Sequence, residues 1–401
     1  MGFHWVHRTK TPTTPAEAEP DKEELPQEAQ NAAQTLQHVV GASQKPGVPS
    51  KAGILAQADR MVRSKAHSWL SELLPELEEK TAEEDLGNFV VINRSTGERA
   101  WESVPLYVRV GMSLLFTGAG DQLLGYKYIS KLLIQQSIRQ GKLFDSEDGA
   151  YEHIVEFVKT YNLEGSLGDL LEPDLTKYKT FNNFFSRQLK PDARPAEGGD
   201  DIVVSLADCR LTVWENVTDA TQFWIKGRQF TIPNLLQDES ISGRPEFKEG
   251  CSLAIFRLAP QDYHRWHSPL QGTIGAIKAI PGQLYTVNPM AVRNKDVDVF
   301  TANKRDIRLI TTPTLESGKD AIEVPIVSVG AMLVGSIGHT RPEGAQIARA
   351  EELGYFAYGG STVIAVFPQG FVKFNDDLVN YSKDGLETAA KVGEKIGVRL
   401  Q

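Results

Sequence analysis

The sequence predicts an α+β protein, in which an N-terminal helical region is followed by a mostly antiparallel, β-rich core. Two observations predict this class. Apolar residues recur at helical spacing in the first part of the chain, whereas short β-rich runs bounded by Gly, Pro and Asn fill the part after Pro195. Helices that precede the strands, instead of alternating with them, are typical of α+β domains with antiparallel sheets.

Composition limits the classes of protein to which the chain can belong. Its 401 residues are 41% hydrophobic and 24% charged, which suits a globular protein large enough to need neither disulfides nor a structural metal. The net charge of -9 argues against general nucleic-acid binding. The two cysteines, Cys209 and Cys251, predict no disulfide framework and favour a reducing compartment.

Three regions are predicted along the chain. Residues 1–50 are rich in Pro, Thr, Ala, Glu and Gln and are expected to form a disordered tail. Residues 51–165 are expected to be helical, notably at 54–77 and 151–161. Within this region, residues 127–142 combine an apolar face with four basic side chains. Such a helix can lie in a membrane interface or pack on its own domain, and both interpretations remain open.

Residues 166–401 are predicted to form the β-rich core. Its last stretch, 386–396, is predicted to be a short surface helix. No apolar run reaches the roughly 20 residues needed to span a bilayer, and no signal peptide is predicted. The predicted strands are 202–205, 253–258, 273–280, 307–311, 322–329 and 362–367.

A polar cluster follows the predicted strand 253–258. Asp262, His264 and His267 fall within six residues, between aromatic side chains. A His-x-x-His pair can bind a metal, but a zinc site needs three or four ligands and no further Cys/His cluster is near in the sequence. Imidazole titrates near neutral pH, so acid–base chemistry is the main functional interpretation. Simple packing at a sheet corner is the alternative.

Two weaker signals flank other strands. Asp208 follows the strand 202–205 and fits a turn or cap residue as well as a functional acid, while the neighbouring Cys209 is expected to be a buried small hydrophobe. Gly359 and Gly360 precede Ser361, and paired glycines allow a tight backbone geometry there. An isolated Gly-Gly-Ser is also an ordinary hairpin turn. It is not a serine-hydrolase elbow, because Val363 stands where that motif requires glycine.

Taken in this order, the segments resemble the phosphatidylserine decarboxylases. Residues 258–269 are similar to the histidine signature of that family, and residues 359–362 resemble its cleavage motif in the form found in non-mitochondrial eukaryotic members. The resemblance runs from about residue 85 to the C-terminus. Further matching stretches are 184–187, 194–195, 224–228, 285–289, 303–305 and 329–336.

The resemblance implies a zymogen that cuts itself between Gly360 and Ser361 and becomes a pyruvoyl-dependent decarboxylase. Ser361 attacks the carbonyl of Gly360 and ends as a covalent pyruvoyl group, with no metal involved. His267, oriented by Asp208, is implied as the base of this cleavage. His264 is implied to assist the decarboxylation.

Elementary chemistry agrees with these implied roles. A serine hydroxyl is a poor nucleophile until a base takes its proton, and a carboxylate that fixes the tautomer improves that base. Removing CO2 from an amino acid leaves a carbanion, which no natural side chain can delocalise. A pyruvoyl ketone that forms a Schiff base with the substrate amine supplies this electron sink.

The resemblance also implies partners. The expected substrate is phosphatidylserine at a membrane surface, converted to phosphatidylethanolamine and CO2 by a peripheral protein facing the cytosol or an endomembrane. The cleaved small chain 361–401 is expected to stay as a partner, and a homodimer is possible. The alternatives are a decarboxylase of a free aromatic amino acid such as tryptophan, and a lipid-binding homologue that does not process itself. A zinc hydrolase is less favoured because the sequence shows no set of zinc ligands, and a serine hydrolase is less favoured because the sequence lacks the elbow motif.

Overall fold

The fold is seen in a computed structural model that describes residues 88–103, 141–142, 144–227, 230–248, 250–287, 289–293, 298–316, 318–331, 336–357 and 361–401. Two short 3-10 helices lie at Glu164–Asp169 and Leu175–Lys177. The α-helices in these ranges are α1 (Ala150–Thr160), α2 (Phe181–Phe185), α3 (Val217–Phe223), α4 (Ile232–Leu236), α5 (Glu239–Ser242), α6 (Pro245–Lys248), α7 (Pro289–Val292), α8 (Val299–Ala302) and α9 (Asp376–Lys383).

The strands of the described residues form three sheets. They are β1 (Asn88–Asn93), β2 (Arg99–Ser103), β3 (Ile202–Val204), β4 (Cys209–Trp214), β5 (Ser252–Leu258), β6 (Arg265–His267), β7 (Gly272–Ile280), β8 (Arg305–Thr312), β9 (Ile322–Val329), β10 (Ile337–His339), β11 (Gln346–Ile347), β12 (Glu352–Phe356), β13 (Ser361–Phe367), β14 (Val372–Phe374), β15 (Glu387–Ala390) and β16 (Lys395–Arg399).

A ten-stranded sheet is the centre of the fold, with the order β11-β7-β8-β9-β13-β5-β4-β15-β1-β2. Its adjacent strands are antiparallel except for β1 with β15. Two three-stranded sheets, β10-β12-β6 and β14-β16-β3, lie beside it. The predicted α+β class, with a mostly antiparallel core, is therefore confirmed.

Both faces of the large sheet are buried. On β5, Phe256 belongs to one apolar cluster and Ile255 to the other, because successive side chains of a strand point to opposite faces. The same alternation on β13 assigns Val363 to the cluster of Phe256, and Ile364 to that of Ile255. Strands covered on both faces are continuous apolar runs, which explains why 253–258 and 362–367 are recognisable in the sequence.

A small helical cap forms a third apolar cluster. Its buried members are Phe144, Ile154, Phe157, Val158, Leu170, Phe181, Phe184 and Phe185. In α1 the buried residues recur three or four positions apart, which is the helical period that predicts a helix over 151–161. The helix α2 begins at a capping residue, Thr180, whose hydroxyl accepts the backbone N–H of Asn183 at 3.1 Å.

All six predicted strands are present, but the predicted helix at 386–396 is wrong. That stretch contains β15 and the start of β16. Gly385 and Gly393 adopt positive φ angles of 72° and 86° on either side of β15, which favours turns there. Pairing of β15 with β4 and β1 then satisfies its backbone groups, so tertiary contacts override a helical pattern only three turns long.

Other predictions fall partly or wholly outside the described residues. The proposed tail, 1–50, and the helix at 54–77 lie outside them, as does nearly all of the basic stretch 127–142. Within the region expected to be helical, residues 88–103 instead contain the β1–β2 hairpin, which extends the large sheet. Cys209 is buried, as predicted, and Cys251 is buried as well; both are free thiols.

A core truncation tests the two-faced sheet. Phe256 is fully buried between Leu211 and Val363 of the neighbouring strands. We expect Phe256→Ala to lower the free energy of unfolding by about 3–5 kcal/mol, because it removes apolar contacts and leaves a cavity. Chemical denaturation in the Ser361→Ala background, which holds the chain in one piece if it cleaves itself, measures this.

The matched control is Phe223→Ala, since Phe223 is 40% exposed at the end of α3. We expect the control to cost less than about 1 kcal/mol. Equal losses for the two variants would contradict the assignment of Phe256 to a packed interior.

Candidate active site

Ser361 is the first residue of β13, in the middle of the large sheet. It lies opposite Leu258 of β5, and its side chain is completely buried. The alternation of β13 places it on the same face as Val363. Gly359 and Gly360, which precede it, lie outside the described residues.

His264 lies in the loop that joins β5 to β6. The loop opens with a tight turn, in which the backbone N–H of Ala259 donates to the Asp262 carboxylate at 2.8 Å and the backbone N–H of Asp262 donates to the carbonyl of Ala259 at 2.9 Å. Arg210 holds the same carboxylate at 3.0 Å. Asp262 therefore shapes the loop that delivers His264 to the end of β13.

Ser361 and His264 are in contact. The Oγ atom of Ser361 lies 3.4 Å from Nδ1 of His264, and Nε2 of His264 lies 3.0 Å from the carbonyl oxygen of Ala259. A carbonyl oxygen only accepts, so Nε2 must carry the proton and donate it. Nδ1 is then unprotonated, and the serine hydroxyl donates to it. The backbone thus fixes the tautomer that a nucleophilic serine needs.

The environment holds His264 in its neutral form. Burial, followed by the positive charge of Arg187, lowers the pKa of His264 to about 3. The ring is fully buried, and the ring of Phe185 lies against it with 3.9 Å between centroids. An imidazole with so low a pKa stays uncharged at neutral pH but is a weak proton acceptor.

His267 occupies β6 and faces different partners. Its Nδ1 lies 2.8 Å from the carbonyl oxygen of Ala350, so Nδ1 carries the proton. Its Nε2 lies 3.1 Å from the hydroxyl of Tyr263, which donates to it. Burial lowers the pKa of His267, while the Ala350 carbonyl and the carboxylates of Glu352 and Asp208 oppose that lowering.

Ala350 directs its carbonyl towards His267 from an unfavourable backbone conformation. Its φ of 57° lies in the left-handed region, which is unfavourable for a residue with a Cβ. Backbone bonds between Ala350 and Ser268, and between Ser268 and Glu351, keep this turn in place beside β6. Local strain that is maintained by surrounding bonds is common at functional sites.

Asp208 lies at the turn between β3 and β4, and its carboxylate is fully engaged. Arg194 donates to it at 2.8 Å through Nη2, and the backbone N–H of Val392 donates at 2.9 Å. Burial alone would lower the pKa of Arg194, but its hydrogen bonds to Asp208 outweigh burial and raise it. This ion pair ties the segment before β3 to the turn after it.

The structure therefore brings the four predicted residues into one region with specific pairings. Ser361 and His264 touch, and the backbone N–H of His267 donates to the carbonyl of Leu206, two residues before Asp208. No hydrogen bond joins the Asp208 carboxylate to the His267 imidazole. Burial lowers the pKa of His267, and Asp208 acts on the imidazole through its charge, which opposes that lowering.

Several contacting residues had no role predicted from the sequence. The residues are Phe185, Arg187, Arg194, Tyr263 and Ala350. The stretches 184–187 and 194–195 were recognisable only as parts of a family resemblance. Cys209 is buried and its thiol pKa is raised by that burial, which fits the small-hydrophobe interpretation.

The site combines a water-excluded hydroxyl, a neutral imidazole that accepts its proton, and a second imidazole near a carboxylate. That arrangement can activate a serine for attack on a neighbouring carbonyl. Within the ranges that the structure describes, no group of three or more His, Cys, Asp or Glu side chains is placed to hold a metal ion.

Comparison with known proteins extends these observations. The sequence model of the phosphatidylserine decarboxylase family matches residues 181–398. The chain is 43% identical over 342 residues to phosphatidylserine decarboxylase proenzyme 2 of Komagataella phaffii, covering 84% of this chain and 33% of that protein. It is 43% identical over 292 residues to proenzyme 2 of Oryza sativa subsp. japonica, covering 72% of this chain and 43% of that protein.

A bacterial relative is matched over more of its own length. The phosphatidylserine decarboxylase proenzyme of Chlamydia trachomatis is 41% identical over 226 residues, which are 56% of this chain and 72% of the bacterial protein. The chain spans only 26% to 33% of three fungal relatives. The family match over the β-rich core, together with the Ser361–His264 geometry, shows that the chain belongs to the phosphatidylserine decarboxylase family.

Proposed function

We propose that the chain is a self-processing phosphatidylserine decarboxylase, which cuts itself between Gly360 and Ser361 and then converts phosphatidylserine to phosphatidylethanolamine and CO2. The observation that carries the proposal is the buried Ser361 hydroxyl, 3.4 Å from the unprotonated nitrogen of a neutral histidine. The relatives named as proenzymes support a processed chain. Family membership supports the decarboxylase activity.

In the proposed cleavage, the Ser361 hydroxyl attacks the carbonyl of Gly360. The C–N bond of that peptide breaks as an ester forms, so the amide nitrogen becomes the free amine of Ser361. Elimination then removes the Cα proton of Ser361 and releases Gly360 as a carboxylate. Hydrolysis of the resulting enamine releases ammonia and leaves the pyruvoyl ketone at the start of the 361–401 chain.

The space around Ser361 suits this product. The group is built from the Cα, Cβ and carbonyl atoms that Ser361 already places there, it gains an oxygen where the amide nitrogen stood, and it loses Oγ. It therefore needs no more room than the buried serine occupies. When formed, such a ketone condenses with an amine and accepts the electrons that departing CO2 leaves behind.

The two histidines are proposed to divide the proton transfers. His264 contacts the Ser361 side chain, so it would lie against the ketone and handle protons during decarboxylation. Its low pKa makes it a poor base for the first step, since a general base works best with a pKa near the operating pH. Burial lowers the pKa of His267 as well, but the Ala350 carbonyl and the carboxylates of Glu352 and Asp208 oppose that lowering, which suits His267 better to accept the serine proton.

The structure adds one condition to this division. The lone pair of His267 Nε2 accepts the hydroxyl of Tyr263 at 3.1 Å. Before His267 can take a proton from Ser361, Tyr263 must release that nitrogen. Asp208 would then stabilise the imidazolium by its charge, because its own hydrogen bonds go to Arg194 and Val392.

Membrane association is proposed to be peripheral. Among the described residues, no helix has the length and apolarity required to cross a bilayer. The basic stretch 127–142 and the question of a homodimer lie beyond what the described residues address, and both remain expectations from the sequence. The cleaved segment 361–401 is proposed to remain bound, since β13 pairs with β5 and β9.

Replacing the nucleophile tests self-processing. We expect Ser361→Ala to remain a single chain of 401 residues and to release no CO2, because neither the ester nor the ketone can form. Intact mass under denaturing conditions measures this, and the unmodified protein should give two chains, 1–360 and 361–401. Ser328→Ala is the matched control, since Ser328 is a buried serine on the adjacent β9. Cleavage of Ser361→Ala at the same bond would rule out the serine mechanism.

Two histidine variants test the division of labour. We expect His267→Ala to stay uncut, because it lacks the cleavage base, and His264→Ala to cleave but to decarboxylate at least about a hundredfold more slowly. Denaturing gels report cleavage, and CO2 release is measured on the cut fraction only. An uncut His264→Ala chain beside a cut His267→Ala chain would reverse the two roles.

The substrate is tested against its nearest competitor. Phosphatidylserine in vesicles and free tryptophan are offered to the same cleaved preparation, and the released CO2 is compared. We expect release from the vesicles only, because the fungal, plant and bacterial relatives described above are named for phosphatidylserine. Release from free tryptophan alone would replace the lipid with an amino acid and leave the self-cleavage intact.

A further inference from the structure

Two arginines join the helical cap to the loop that carries His264. Arg187, just after α2, donates to the carbonyls of Gln261 and Asp262 at 3.2 and 3.3 Å. Arg265, the residue after His264 and the first of β6, donates in return to the carbonyls of Ser186 and Arg187 at 2.8 and 3.2 Å. Each guanidinium thus holds the main chain of the other segment, and we call this pair the arginine clamp.

The clamp determines what lies on either side of His264. It fixes the end of α2 against the loop, and Phe185 in α2 places its ring 3.9 Å from the imidazole. The Ser361 hydroxyl contacts the same imidazole at Nδ1. The imidazole therefore contacts both a fixed aromatic ring and the reacting side chain, and its freedom to turn away is small.

Arg187 is also an unusual charge. Its side chain is only 6% exposed, yet its hydrogen bonds go to peptide carbonyls and not to a carboxylate. The nearby acids have other ion-pair partners, since Asp208 pairs with Arg194 and Asp262 with Arg210. Among the described residues, no carboxylate forms an ion pair with Arg187. A buried cation of this kind is costly, so its retention here calls for a role beyond packing.

We infer that Arg187 is a positioning residue for His264. Through the arginine clamp it holds the imidazole in contact with Phe185 and Ser361, and its positive charge favours the neutral form of that imidazole.

Other charged groups around His264 do not substitute for Arg187. Arg265 is paired with Glu352, and Asp262 and Asp208 are paired with other arginines. Tyr263 stays protonated, because burial raises the pKa of its hydroxyl. Burial lowers the pKa of His264 most, and the charge of Arg187 lowers it further, while backbone hydrogen bonds act in the opposite direction. Removing its charge must therefore raise that pKa.

The first experiment follows the titration of the histidine rings by NMR in the full Ser361→Ala chain, with His264 assigned by a His264→Gln variant. In the parent we expect the His264 signal to stay constant as the pH falls from about 8 to about 5. Adding Arg187→Met keeps the length of the side chain and removes its charge, so the signal should begin to move at a higher pH. A His264 titration identical to that of the parent overturns the inference.

Arg244→Met is the matched control, because Arg244 is a 38% exposed arginine that pairs with Glu323 at the surface. We expect it to leave the His264 titration unchanged. Only the comparison of reaction rates, made with the second variant below, rests on the proposed function. The titration needs neither cleavage nor decarboxylation, so a protein that never cleaves would defeat the proposed function and still test Arg187.

A second variant covers the case in which Arg187→Met does not fold. Arg187→Lys keeps the charge but replaces the planar guanidinium with a compact ammonium, so it does not reproduce the hydrogen-bond geometry of the clamp. In the chain with Ser361 present, we expect it to cleave but to decarboxylate at least about tenfold more slowly, while His264 titrates as in the parent. Decarboxylation by cleaved Arg187→Lys at the rate of the unmodified protein would show that the clamp does not position the ring.

Discussion

The pairing of β13 with β5 determines the position of Ser361. Ser361 opposes Leu258, the last residue of β5, and the loop that carries His264 begins at the next residue. A shift of one residue in this register would turn Ser361 to the opposite face of the sheet and put Thr362 in its place. The apolar residues that follow on both strands prevent that shift, because it would exchange the contents of the two buried clusters.

The imidazole that contacts Ser361 is neutral, whereas the charged side chains of the site act on it without touching the serine. His264 touches Ser361 and is uncharged, whereas Arg187 and Asp208 act through main-chain bonds or through their fields. In an interior of low dielectric, fixed charges at such distances still shift the balance between protonation states. The two histidines, three residues apart in sequence, therefore differ in basicity because their neighbours differ.

The sequence predicts the large elements of this fold well, for a physical reason. Strands such as 362–367 are buried on both faces, so they are nearly continuous apolar runs with clear ends. Strands of two or three residues, such as β6 and β11, are too short to show any period. The prediction of a helix at 386–396 was wrong, because strand pairing with distant segments determines the structure of this stretch.

In the candidate site, too, residue types can be inferred from the sequence but their contacts cannot. Ser361, Asp208 and the two histidines stand in local motifs, and the chemistry of each residue type can be inferred from the sequence. Which histidine touches the serine depends on how the loop closes on the carbonyl of Ala259, and no local pattern encodes that closure. Arg187 contacts a loop more than 70 residues away along the chain, so its involvement is visible only in three dimensions.

The C-terminal 41 residues contribute strands that lie between strands from the rest of the chain. Strands β13 and β15 each lie between strands contributed by the larger part of the chain, and β16 lies between β14 and β3. Two halves synthesised separately would each expose unpaired strand edges and would have to interleave in solution. Covalent continuity during folding keeps the partner segments at high local concentration, so the bond proposed to be cut would serve as a temporary tether that is no longer needed once assembly is complete.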